Sequence, residues 1–198
     1  MKKDNLLPLL FLIILAVIFR TAWHFGDNIE FVTSATLIAS AYFGLKGGLL
    51  VPFTAMFISD VMIGNTNIFI FTWSAYLIIG VLGYRALGRK NKKFKKKNDS
   101  LKIKGIIVIK AMGMGIVASL WFYLWTNFGV WVLDSWGMYP KTIHGLIEAY
   151  IMGLPFLKAN LIGNIILVSF SFIFIESFRL LWRNSESIFR NIKHSTDV

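Results

Sequence analysis

The sequence predicts an all-α membrane protein, a bundle of six transmembrane helices with both termini in the cytoplasm. Three observations carry that prediction. Apolar side chains make up 56% of the 198 residues and the mean hydropathy is +0.64, against roughly 45–50% apolar in an ordinary soluble domain. Apolar stretches near the roughly 20 residues that cross a bilayer recur along the chain. Between two of them lies the segment RKNKKFKKKNDSLKIK at residues 89–104, the densest positive charge present. Short loops rich in Lys and Arg stay in the cytoplasm, so this block defines an inner loop and orients everything else. The expected location is the cell membrane, as a multi-pass protein.

The elements follow in order. The start, MKKDNLLPLLFLIILAVIF, has the charged head and apolar run of a signal peptide, but Arg20, Trp23 and His24 follow with no small-residue cleavage site. It reads as a retained first helix over about residues 5–21. A second helix over about residues 29–43 ends at GLKGG, and a third covers about 49–63 with Pro52 in its first turn, where a missing N–H is tolerated. The fourth runs over about 68–87, the basic block follows, and the fifth covers about 105–127. The stretch FGVWVLDSWGMYPK is loop-like and aromatic. Residues 142–153 predict a short outer helix, broken by Pro155, before a sixth helix over about 157–181. One membrane domain thus spans residues 1–182, with a polar cytoplasmic tail over 183–198.

The charge distribution agrees with this sidedness. Of the 21 Lys and Arg residues, only Arg20, Lys141 and Lys158 fall on the outer side. The net charge of +11 would suggest nucleic acid in a soluble protein; here it sits in short flanks and one loop, where topology and anionic lipid head groups account for it. Lipid is therefore an expected partner and nucleic acid is not. Small residues recur every four positions as Thr36, Ser40 and Gly44, and as Ala111, Gly115 and Ser119, a spacing that lets helix backbones approach closely.

No catalytic signature is present, so the chain is not expected to be an enzyme. The absence of cysteine excludes disulfides and thiolate chemistry, and there is no GxSxG, HExxH or phosphate loop. Polar and aromatic groups instead gather on the outer side: Arg20, Glu30 and Asp60 at three helix ends, Asn127 at a fourth, and Trp131, Asp134, Trp136 and Tyr139 beyond it. His144 and Glu148, four apart on the short helix, share one face. Charge at the edge of hydrocarbon usually faces a bundle interior or a water-filled cavity. Arg20, Glu30, Asp60, Asn127, Trp131, Trp136, Tyr139, His144 and Glu148 are therefore the candidate substrate-binding residues of an outward-opening pocket. The same groups also fit a duller role, as interfacial aromatics and as an ion pair of Arg20 with Glu30 or Asp60. Two ligands do not make a metal site, so no metal and no cofactor are expected. Asn160 and Asn164 suggest a hydrogen bond to a neighbouring helix.

The run ATLIASAYFGLKGGLLVPFTAMFISDVMIG, followed by LIIGVLGY, resembles the substrate-binding S components of energy-coupling-factor (ECF) importers. Phe43, Gly44 and Gly48 match their FG-x-x-x-G turn, and Asp60 and Gly64 stand where the polar end of the third helix would be. The segment TNFGVWVLDSWGMYPKTIHGLIEAYIMGLPF is similar to an uncharacterised membrane family distantly related to them. The resemblance spans about residues 31–174. It implies an S-component-like bundle that captures a small solute, such as a vitamin or similar micronutrient, on the extracytoplasmic side, with energy supplied by a coupling subunit and ATPases. S components dock through an alanine pair in the first helix; here helix 1 lacks it, and Ala35 and Ala39 on the second helix are the corresponding candidates. The rival expectation is a non-catalytic structural or assembly protein that holds lipid or envelope partners.

Overall fold

The computed structural model describes residues 5–23, 29–64, 67–88, 101–134 and 137–196. Five helices and no strand occur among them: α1 (Leu6–Thr21), α2 (Val32–Ile63), α3 (Phe69–Leu87), α4 (Leu101–Leu133) and α5 (Ile143–Thr196). Four stretches are long and apolar enough to cross a membrane by length and composition: Val32–Ile63, Phe69–Leu87, Gly105–Leu133 and Ile143–Trp182; α1 is apolar but shorter, at 16 residues. The expected count of six helices is thus replaced by five elements. Residues 89–100 of the basic loop lie outside the described residues.

One joining explains the difference in count. The predicted second and third helices run together as α2 across a sharp kink at Gly44, whose φ of 75° and ψ of −167° are not helical. Beyond this residue the chain turns back on itself. A Cβ on Gly48 would overlap the Ser40 hydroxyl, and one on Gly47 would lie 2.7 Å from the Phe43 Cβ. In an unbroken helix residues eight apart are about 12 Å from each other, so residues 32–43 and 45–63 are two arms folded together. Glycine is required at this bend because φ is positive, a region costly to a side chain. The second correction is at Pro155. The short outer helix and the sixth helix are continuous through it as α5, which also extends to Thr196 across the expected polar tail. The carbonyl that proline leaves without a donor is tolerated in long apolar helices, where neighbours and local adjustment satisfy it.

The first arm of α2 forms the centre. Every residue from 32 to 41 is buried, including Thr33, Ser34, Thr36 and Ser40. Thr36 and Ser40 hydroxyls donate back to the carbonyls of Val32 (2.7 Å) and Thr36 (2.8 Å), so their polarity is absorbed by the helix itself. α1 and α3 flank α2, and α4 lies between α3 and α5. The closest approach is α2 to α3: Ser40 Oγ donates to the Gly80 carbonyl at 3.0 Å, and a Cβ on Gly80 would overlap the Gly48 carbonyl oxygen. That oxygen is also the one that Pro52, four residues on, leaves without a helical N–H donor. α4 and α5 are joined by a polar clasp in which Asn164 Nδ2 donates to Ser119 Oγ (2.8 Å) and Asn160 Oδ1 (2.9 Å), the interhelical role expected of these asparagines.

Large apolar side chains cover the outside, among them Leu7, Phe11, Val61, Ile109, Ile143, Phe170 and Phe174. The core is enriched instead in small residues, with Ala16, Ala35, Ala39, Ala55, Ala111 and Ala118 almost fully buried. This pattern, large apolar side chains outward and small ones between helices, is that of a bundle solvated by lipid.

Candidate functional site

Arg20, in the last turn of α1, is the organising cation at one end of the bundle. Its guanidinium Nη1 donates to Asp60 Oδ1 and, at 2.5 Å, to Ser59 Oγ. Its Nε lies 3.3 Å from Glu30 Oε2. Asp60 sits near the end of the second arm of α2, and its other oxygen, Oδ2, accepts the Trp73 indole N–H at 2.5 Å. Tyr76, one turn beyond Trp73 on α3, donates a long 3.5 Å bond to Glu30 Oε2. Three of the residues predicted from sequence are therefore brought together: Arg20, Glu30 and Asp60. Their side chains are 11%, 26% and 4% exposed, so Glu30 is the most open of the three.

Local sequence explains the convergence. α1 ends, α2 begins, the second arm of α2 ends and α3 begins at this one end, and each of those termini carries a polar residue. Four chain ends meeting there let short side chains reach one another. Phe53, Phe57 and Phe69 stand edge-on to the Trp73 ring with centroids 5.6, 6.0 and 5.5 Å away, which holds the indole in place against Asp60. Glu30 precedes the first residue of α2 by two positions. Burial pushes its carboxyl above the usual carboxylate range, with the nearby Arg20 pulling the other way.

The other predicted residues that are described do not join this cluster. Asn127 Nδ2 donates to the Tyr123 carbonyl at 2.8 Å and its amide packs against Gly153 of α5. Trp131 lies in an aromatic row along α4, with Phe128, Trp125 and Trp121, and Phe71 of α3 meets Trp125 at 5.4 Å. The Trp131 indole donates to the Pro140 carbonyl at 3.1 Å. Tyr139 is buried, while His144 and Glu148 are exposed. Trp136 lies outside the described residues. Ala35 and Ala39, the candidate docking pair, are fully buried in the chain's own core, so the surface they would offer a partner is already covered.

The α4–α5 connection is closed by its own bonds. Asp134 Oδ1 accepts the backbone N–H of Met138 (2.8 Å) and Tyr139 (3.2 Å). Lys141 Nζ donates to the carbonyls of Trp131 and Val132, the latter at 2.9 Å, and so places a cation at the C-terminal end of α4. Thr142 Oγ1 accepts the Gly145 N–H at 3.2 Å and caps α5.

Ser59, Trp73 and Tyr76 are the members of the cluster that sequence reasoning missed. Trp and Tyr near the end of an apolar helix look the same whether they belong to an interface belt or to a site. Their spacing by three on α3 was the only signal. At the opposite end, Tyr42 donates to the buried Glu176 at 2.7 Å, and the Arg179 guanidinium stands 4.1 Å from the Tyr42 ring.

A family model, that of the DUF6580 family of unknown function, matches residues 1–188. No curated protein and no solved structure matches the chain.

Proposed function

Because this chain belongs to the DUF6580 family, whose function is unknown, we propose a function from its own residues. It is a membrane-embedded solute-capture subunit that binds a small molecule, a vitamin or similar micronutrient, on the extracytoplasmic side for import. In this reading the protein is multi-pass in the cell membrane with both termini cytoplasmic. The two arms of α2 each cross, giving six spans in the manner of an ECF S component. Energy comes from a partner complex of coupling subunit and ATPases.

The observation that supports it best is the cluster of Arg20, Glu30 and Asp60, drawn from two helix ends and one connecting segment. Charges at the margin of a bilayer are costly to keep, and a bundle that places three at one point has a use for them. In this reading the cluster faces outside, the orientation in keeping with the sidedness of the Lys and Arg residues. A binding assay on the purified protein with a vitamin and metabolite panel tests the reading. Saturable binding that Asp60→Asn abolishes supports it; failure of the whole panel to bind overturns it.

One observation favours a second reading, a structural or assembly protein. Both oxygens of Asp60 already accept hydrogen bonds from the chain's own Arg20 and Trp73, as they would if the cluster served only to join helices. Co-purification separates the two. A coupling subunit with ATPases favours import, and division or envelope factors favour assembly.

A further inference from the structure

The cluster holds one guanidinium and two carboxylates. The helix termini around it do not alter the balance: the C-termini of α1 and α2 and the N-termini of α2 and α3 meet here, and their partial charges of about half a unit each cancel. With both acids ionised, the described members of the cluster sum to one negative charge. The two carboxylates are not equivalent. Asp60 is nearly inaccessible and has a donor on each oxygen. Arg20 Nε lies beside Glu30 Oε2 in an ion pair without a hydrogen bond, Tyr76 donates to that same oxygen, and no described residue donates to Oε1. Among the described residues, the charged and titratable groups that face Glu30 are Arg20 from α1, Asp60 from α2 and Tyr76 from α3. α5 approaches this segment at Gly163, which packs against Ile29.

We propose that the solute taken at this cluster is an organic cation bearing N–H donors, received by the open Oε1 of Glu30; this rests on the solute-capture reading above. An anion would compete with two carboxylates for one guanidinium that already donates to Asp60 and Ser59 and is ion-paired with Glu30, although its buried Nε makes no hydrogen bond. A cation offsets that negative charge and brings a donor to Oε1 together. Without solute, a proton on Glu30 does the same, in keeping with the effect of burial on this carboxyl. Binding is then an exchange: the ammonium or guanidinium group takes the Glu30 carboxylate and the carboxyl proton leaves to water. Affinity for the cation rises with pH while Glu30 is protonated, by up to about tenfold per pH unit.

The test is calorimetric titration of the full chain in nanodiscs with ethylammonium and methylguanidinium chloride, sodium acetate and N-methylacetamide, each at several pH values. The expected result is binding of the cations alone, tightening as pH rises. Buffers of different ionisation enthalpy then report about one proton released per cation bound. Glu30→Gln, shown folded by its melting curve, weakens cation binding at least tenfold and removes the pH dependence. Binding of acetate or the amide in preference to the cations overturns the cation assignment and leaves solute capture standing. Cation binding with no proton released also overturns the exchange. If these probes and the wider metabolite panel all fail to bind, both readings fall. Where Glu30→Gln does not fold, the proton count on the unmodified chain decides.

Discussion

Arg20 shows how much one residue can organise. It is a single cation in an otherwise apolar helix, and its guanidinium touches three other side chains. Removing one partner of a buried pair leaves the other charge uncompensated, at about 3–5 kcal/mol, whereas replacing both with apolar groups is far less harmful. Arg20→Met should therefore lower stability by about that amount in thermal unfolding, and Arg20→Met with Asp60→Leu should recover much of the loss. A double variant no more stable than the single one would show that the pair is not coupled. Glu30 gives a pH prediction of defined sign. Its carboxyl titrates higher in the folded chain than in an unfolded one, so the folded state binds the extra proton. Stability then falls as pH rises from the ordinary carboxylate range through the folded value, and Glu30→Gln flattens that slope. Arg20, Glu30 and Asp60 were legible in the sequence because charge stands out in an apolar chain. Trp73 and Tyr76 were not, since an aromatic residue near a helix end carries no mark that separates a ligand of Asp60 from an interfacial anchor.

At the level of elements, close approach does most of the positioning. Gly48 and Gly80 let α2 and α3 meet backbone to backbone beside the Ser40 hydroxyl. Gly80→Ala should destabilise by about 1–3 kcal/mol, the usual range for overpacking, because the atoms it meets are backbone and cannot step aside. Unfolding of the variant in the same detergent measures this. Gly113→Ala is the matched control, since nothing lies within 4 Å of a Cβ there, and it should be neutral. The bend at Gly44 was readable from FG-x-x-x-G, whose glycines end one apolar run and begin another. The two runs are the arms of α2 on either side of that kink, folded back against each other. The continuity of α5 through Pro155 was hidden for a different reason. Proline is a reliable breaker in water, but a helix among neighbours in an apolar surrounding retains its direction. Similarly, the connection between α4 and α5 is held by its own bonds, through Asp134, Lys141 and Pro140, a closure that spacing cannot reveal.

For the whole molecule, composition carried the class: an all-helical chain with four long apolar helices and large side chains facing outward. Of the described candidates, Arg20, Glu30 and Asp60 come together and the others stand apart, because proximity to one membrane face does not place residues on the same side of a helix. Sidedness itself is open to a direct check. The chain has no cysteine, so single introduced ones report without background. Lys93→Cys should react only with reagent applied from the cytoplasm and His144→Cys only with reagent applied from outside. The reverse pattern would place the cluster of Arg20 and Asp60 on the cytoplasmic side, where it could not serve uptake. The most direct test of the central proposal is native mass spectrometry of the protein released from its own membranes. The unmodified chain should carry a co-purifying small molecule that is absent from a folded Asp60→Asn variant. An empty unmodified chain, or equal occupancy of both, would contradict it.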